Sequence, residues 1–140
     1  MPFLLVTCAG VFEFGNLFYQ KLLVEAGVRD AARYVARCPA TAGFTCSDAI
    51  AKEIAIYGEP AGATPRVSGW DDTSTVTITR ETTPNPFNAD TGTYDYRGGG
   101  PITTIRVTAS FTYDGGGLLD FIGFDDVTLG ALHEERYIGW

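Results

Sequence analysis

The sequence predicts an α+β protein: one long N-terminal helix packed on a small antiparallel β-sheet, with one further short helix. Three observations carry this. Met1–Phe12 runs without a charge, and a helical pattern continues from it to about Arg37. Ser47 and Gly58 bracket a second, shorter helical segment. Three later segments alternate apolar and polar residues as half-buried strands do.

Nothing strong breaks the first helix before Pro39, whose ring disfavours helical backbone at the residue preceding it. One helix of about 35 residues and about 50 Å is expected. Its first half is apolar all round. Its second half is two-faced, with Leu23, Gly27, Ala31, Tyr34 and Cys38 on the stripe expected to be buried and Glu25, Arg29, Arg33 and Arg37 on the other. Glu25 and Arg29 stand at the spacing of a favourable i,i+4 pair, which is expected to form.

The uncharged run would cover about 18 Å of a hydrocarbon layer about 30 Å thick, too little to span it. No Lys or Arg precedes it, so it is also a poor secretory signal. The expectation is a helix lying in a membrane or filament core, whose apolar residues continue upstream of Met1 in the native protein. The rival reading is the buried N-terminal core helix of a soluble protein. Glu13 is tolerable in the first case only near an interface or paired within an assembly.

Ser47 is placed to cap the second helix, with Asp48 at its positive end, Ile50, Ile54 and Tyr57 as its buried stripe, and Gly58 and Pro60 as its stop. The strands are expected at Thr75–Arg80, at Ile105–Tyr113 and from Val127 towards Tyr137. Alternation of this kind describes a sheet covered on one face and wet on the other, with the helices as cover. Two long connections stand out. Pro84–Pro101 is rich in Asn, Asp, Tyr and Gly, and the segment after Asp114 carries Leu118, Leu119, Phe121, Ile122 and Phe124. Phe121, Ile122 and Phe124 are read either as a partner or membrane contact or as a cover for the open end of the core.

Charge is unevenly distributed over the 140 residues, which carry a net charge of −7. Residues 1–37 hold four basic and three acidic side chains, and the remainder six basic and fourteen acidic. This change of character is read as a change of environment, dividing a helix over 1–37 from an exported domain over 38–140. An acidic chain with no basic aromatic platform is a poor match for nucleic acid. Cys38 and Cys46 flank a short polar stretch, read as a loop closed by a disulfide in an oxidising compartment. Two reduced, partly buried thiols are the alternative.

No catalytic or cofactor site is expected. His133 stands beside Glu134, Glu135 and Arg136, and reads as an ordinary surface or strand-end histidine. Neither Gly98–Gly100 nor Gly115–Gly117 is followed by the Lys-Ser/Thr of a phosphate loop. Asn88, Asp90 and Asp95 miss the calcium-loop spacing, and Asp71–Asp72 and Asp125–Asp126 read as turn and surface acids. No metal, cofactor or enzymatic activity is therefore assigned.

The residues do resemble a family. Pro2-Phe-Leu-Leu-Val, then Glu13-Phe-Gly-Asn-Leu-Phe-Tyr19 and Ala26-Gly-Val-Arg-Asp-Ala-Ala-Arg-Tyr34, are similar to the TadE-like minor pilins (pseudopilins) of bacterial tight-adherence pili. The Cys pair after the long helix and the C-terminal Leu132–Gly139 add to the likeness. The resemblance implies a non-enzymatic pilus assembly subunit made as an inner-membrane precursor. Its domain would lie on the periplasmic or extracellular side, and its partners would be a sister minor pilin, the major pilin and the assembly platform. The sequence lacks the family's basic leader and cleavage glycine upstream of the first apolar residues. Glu13, Phe14, Gly15, Phe18 and Tyr19 are the residues expected to work in helix assembly. The alternative is a membrane-tethered binding module that uses the Pro84–Pro101 loop and belongs to no filament.

Overall fold

A computed structural model of the chain describes residues 2–39, 46–113 and 127–139. Helix α1 spans Pro2–Ala36 and α2 spans Asp48–Tyr57. A single 3-10 turn, Thr73–Thr75, leads into β1 (Val76–Thr83). A two-residue hairpin follows, β2 (Phe87–Asn88) with β3 (Thr93–Tyr94). The long strands β4 (Ile102–Thr112) and β5 (Thr128–Arg136) complete an antiparallel sheet in the order β1-β4-β5. The α+β class read from the sequence is the observed one.

Register explains how the sheet buries one face. Val76 stands opposite Ala109, Ile78 opposite Val107, Ala109 opposite Ala131 and Phe111 opposite Leu129. Side chains two apart point the same way, so these residues form one apolar surface, and it packs under α1 and α2. The other face is wet and rich in threonine. There Arg106 on the central strand bridges Glu81 and Glu134 on its two neighbours.

The core joins this sheet face to the C-terminal half of α1, through Val24, Val28, Ala31, Ala32, Val35 and Ala36. The expected stripe is thereby rotated. Gly27, Ala31 and Cys38 are buried as expected, but Leu23 and Tyr34 are only half-buried. In α2 the expected stripe of Ile50, Ile54 and Tyr57 is likewise only half-buried, and Ala51, Ala55 and Ile56 take the interior. The reason is the closeness of the two helices. Gly27 faces the Ala55 carbonyl so tightly that only small residues fit between the backbones.

The caps of α2 follow the sequence. The Ser47 hydroxyl accepts from the Ala49 N–H at 3.1 Å, and Gly58 ends the helix in the left-handed region, φ 87°, with its N–H on the Ile54 carbonyl. Trp70, 1% exposed, closes one end of the core against Phe111. Its indole N–H donates to the Thr75 hydroxyl at 2.9 Å, so its polar edge is not stranded. At the other end the C-terminal segment returns to α1. The Ile138 N–H donates to the Ala36 carbonyl at 2.9 Å, and the Tyr137 hydroxyl to the Cys38 carbonyl at 2.8 Å. The first of these bonds satisfies a carbonyl that the helix end leaves without an intrahelical donor.

Candidate functional site

Between Leu4 and Leu22, α1 projects apolar side chains that the domain does not cover. Leu4, Leu5, Val6, Val11, Phe12, Phe14, Phe18, Tyr19 and Leu22 are all more than half exposed, Phe12 the most at 78%. Beyond the first turns they form one outward stripe, Val11–Phe14–Phe18–Leu22, at three- and four-residue steps. A stripe this large on a folded chain marks a contact surface rather than scattered exposed residues. Among the described residues, however, no helix is long and apolar enough to cross a membrane.

Four of the five residues expected in helix assembly lie on or beside this stripe: Phe14, Gly15, Phe18 and Tyr19. A Cβ on Gly15 would meet nothing within 4 Å. The fifth, Glu13, lies off the stripe. It points the other way and is 8% exposed. Steps of four, three, four, three and four lead from Glu13 through Leu17, Gln20, Val24 and Gly27 to Ala31, so Glu13 begins the row that faces the domain. Tyr113 meets it there. Its hydroxyl donates to the Glu13 carbonyl at 3.4 Å and accepts from the Asn16 side-chain amide at 3.1 Å. Burial raises the Tyr113 pKa, and the charge of Glu13 adds to the effect. Spacing alone does not single out this row in a segment apolar on most sides, and an acid at its head argues against burial.

Further along, Lys21 donates to the Gly130 carbonyl and pairs with Glu25 at 3.2 Å, fixing the point where α1 leaves the sheet. From there the outward face turns basic, with Arg29, Arg33 and Arg37 all exposed.

The remaining expected residues are placed as follows. Cys38 and Cys46 are joined by a disulfide, with Cα atoms 5.9 Å apart, which ties the end of α1 to the approach to α2. Phe121, Ile122 and Phe124 lie outside the described residues. His133 is not a strand-end residue: it sits within β5 on the helix-facing side, half-buried, 3.1 Å from the Glu135 carboxylate. That contact and Arg33 hold the Glu135 pKa below its usual value. The Asn88 side-chain oxygen accepts from the Asp90 and Thr91 N–H groups and so closes a turn. Among the described residues no cluster of His, Cys, Asp and Glu is grouped to hold a metal ion. A cavity of about 350 Å³ beside the disulfide contains Arg80, whose guanidinium is taken by Asp48.

Fold and site together define a class: an α+β domain carried on a helix whose N-terminal half offers an uncovered apolar face. Residues 1–33 match the family model of the TadE-like protein, and over that stretch the chain is similar to that family. The matched segment contains the whole apolar face and the first turns that pack on the domain. No curated protein and no solved structure matches the chain.

Proposed function

We propose that the chain is a non-enzymatic minor pilin, a structural subunit that primes, caps or is built into a tight-adherence pilus. One observation carries the reading: the apolar face that the domain leaves bare falls within the segment that matches the TadE-like family. In this reading the face lies in the inner membrane before assembly. Afterwards it packs against the helices of the sister minor pilin and the major pilin, with the assembly platform as the site of exchange. The domain stands on the periplasmic or extracellular side, where the Cys38–Cys46 bond is stable.

Glu13 takes no direct part in the partner contact. Its place on the domain-facing row makes it a link between stem and domain, which sets the angle at which the apolar face is presented. Burying a large apolar side chain is worth about 1.5–3 kcal/mol, so charges placed on the stripe should abolish assembly without touching the core. The test is Phe14→Glu with Phe18→Glu in the native chain in its own host. The expected result is loss of pili with the domain still folded and oxidised, and normal piliation overturns the reading.

A further inference from the structure

The connection between β1 and β4 is an ordered arm. The Asn85 side chain clamps its base, donating to the Tyr96 and Gly98 carbonyls at 3.1 and 2.6 Å and accepting from the Tyr96 N–H at 2.9 Å. The ring of Phe87 meets that of Tyr94 edge-on, with centroids 5.0 Å apart. Yet residues 86–101 are all exposed, and Phe87, Tyr94 and Tyr96 keep 54%, 44% and 49% of their surface in solvent. The arm thus holds three aromatic rings ready without burying them, and holding them in place in advance lowers the entropy lost on binding. Asp90 and Asp95 lie on the same arm, as does Arg97, and neither acid forms an ion pair with a described residue.

The same molecule carries a complementary surface. Arg29 and Arg37 on α1 are exposed and make no ion pair with a described residue. Arg33 between them is exposed and, among the described residues, pairs with Glu135 at 3.6 Å. Residues 1–37 are net basic and the remainder strongly acidic, so equivalent surfaces of two copies repel while unlike surfaces attract. Guanidinium groups stack on aromatic faces and pair with carboxylates, and the arm offers both.

We propose that the arm of one copy, through Phe87, Tyr94, Tyr96, Asp90 and Asp95, docks on the Arg29–Arg33–Arg37 stripe of a second copy of this chain. The two surfaces differ, so the contact is head-to-tail, and unless it closes on itself it extends into a row of subunits. The apolar face of α1 takes no part in it, so this contact and the pilus reading can fail separately.

The test is sedimentation velocity of the full chain, with detergent covering the apolar face. Runs at about 0.01 M and about 1 M salt set screening lengths of about 30 Å and 3 Å. Association is expected at low salt and its loss at high salt. Arg29→Glu with Arg37→Glu, and separately Asp90→Arg with Asp95→Arg, should each weaken association about tenfold or more. Mixing the two variants should restore it, because each then finds the opposite charge on the other. Circular dichroism shows that each variant is folded, and Arg37→Glu alone is read in place of a double variant that is not. A chain monomeric at both salts, variants that associate like the parent, or a mixture that stays apart would overturn the proposal. So would an arm that binds an added glycan while self-association is insensitive to its charge.

Discussion

Gly27 passes the backbone of Ala55 so closely that a Cβ added to it would lie 2.1 Å from the Ala55 carbonyl oxygen. The obstacle is backbone, not the end of a flexible side chain, so it yields only if α1 and α2 move apart. Gly27→Ala is expected to destabilise the chain by up to about 2 kcal/mol: overpacking costs about 1–3 kcal/mol, and the roughly 1 kcal/mol that alanine gains in a helix offsets only part of it at so close an approach. Gly15→Ala, where a Cβ meets nothing, should instead stabilise by up to about 1 kcal/mol. Urea denaturation of the full chain measures both, and equal shifts in one direction would contradict the packing account.

Tyr113 and Glu13 join the domain to the apolar half of α1. Tyr113→Phe removes a hydroxyl that donates to the Glu13 carbonyl and accepts from Asn16, at an expected loss of about 1 kcal/mol. Burial raises the Tyr113 pKa above the ordinary 10.0, and Glu13 adds to the rise. A raised folded value means that the stabilisation is complete below the unfolded value and is lost as pH rises through the folded one. Tyr113→Phe should therefore flatten part of the alkaline fall in thermal midpoint.

At acid pH the carboxylates decide. The hydrogen bond from Arg80 lowers the Asp48 pKa below 3.8, and that from His133, with Arg33, lowers the Glu135 pKa below 4.5. Depressed folded values mean that these contributions are present above the unfolded values and disappear as pH falls through the folded ones. Asp48→Asn and Glu135→Gln should each lower the midpoint near neutral pH and make its acid fall shallower. An acid limb as steep as the parent's in both variants would contradict this.

The Cys38–Cys46 bond closes a short loop between the end of α1 and the start of α2. By the loop-entropy account its removal costs about 2–3 kcal/mol. Cys38→Ser with Cys46→Ser should show that loss in denaturation and should no longer respond to reductant. The parent chain should lose a similar amount on reduction.

Local patterns were legible because their causes are local. Pro39 limits α1, Ser47 and Gly58 cap α2, and the alternation of Ile105–Tyr113 is the burial pattern of β4. Strand ends moved by a few residues, because the pairing of β1 with β4 carries β1 on to Thr83 and starts β4 at Ile102. The face of α1 was harder to read. A helix apolar on most sides gives periodicity little contrast, and Leu23 and Tyr34 looked as good as Val24 and Val28. In α2, Ile50 and Ile54 lost the interior to Ala51 and Ala55 because the crossing at Gly27 admits only small side chains.

By itself the sequence determined the α+β class, the stem, the uncharged first turns and the cysteine pair, since each follows from residues near one another in the chain. Only the tertiary structure decided that Glu13 turns inward to Tyr113 while Phe14, Phe18 and Tyr19 stay bare, and that residues 86–101 stay exposed. Which side of an apolar helix is covered depends on the shape and spacing of what packs on it. That partner is a sheet assembled from segments some hundred residues away, whose placement no local pattern records.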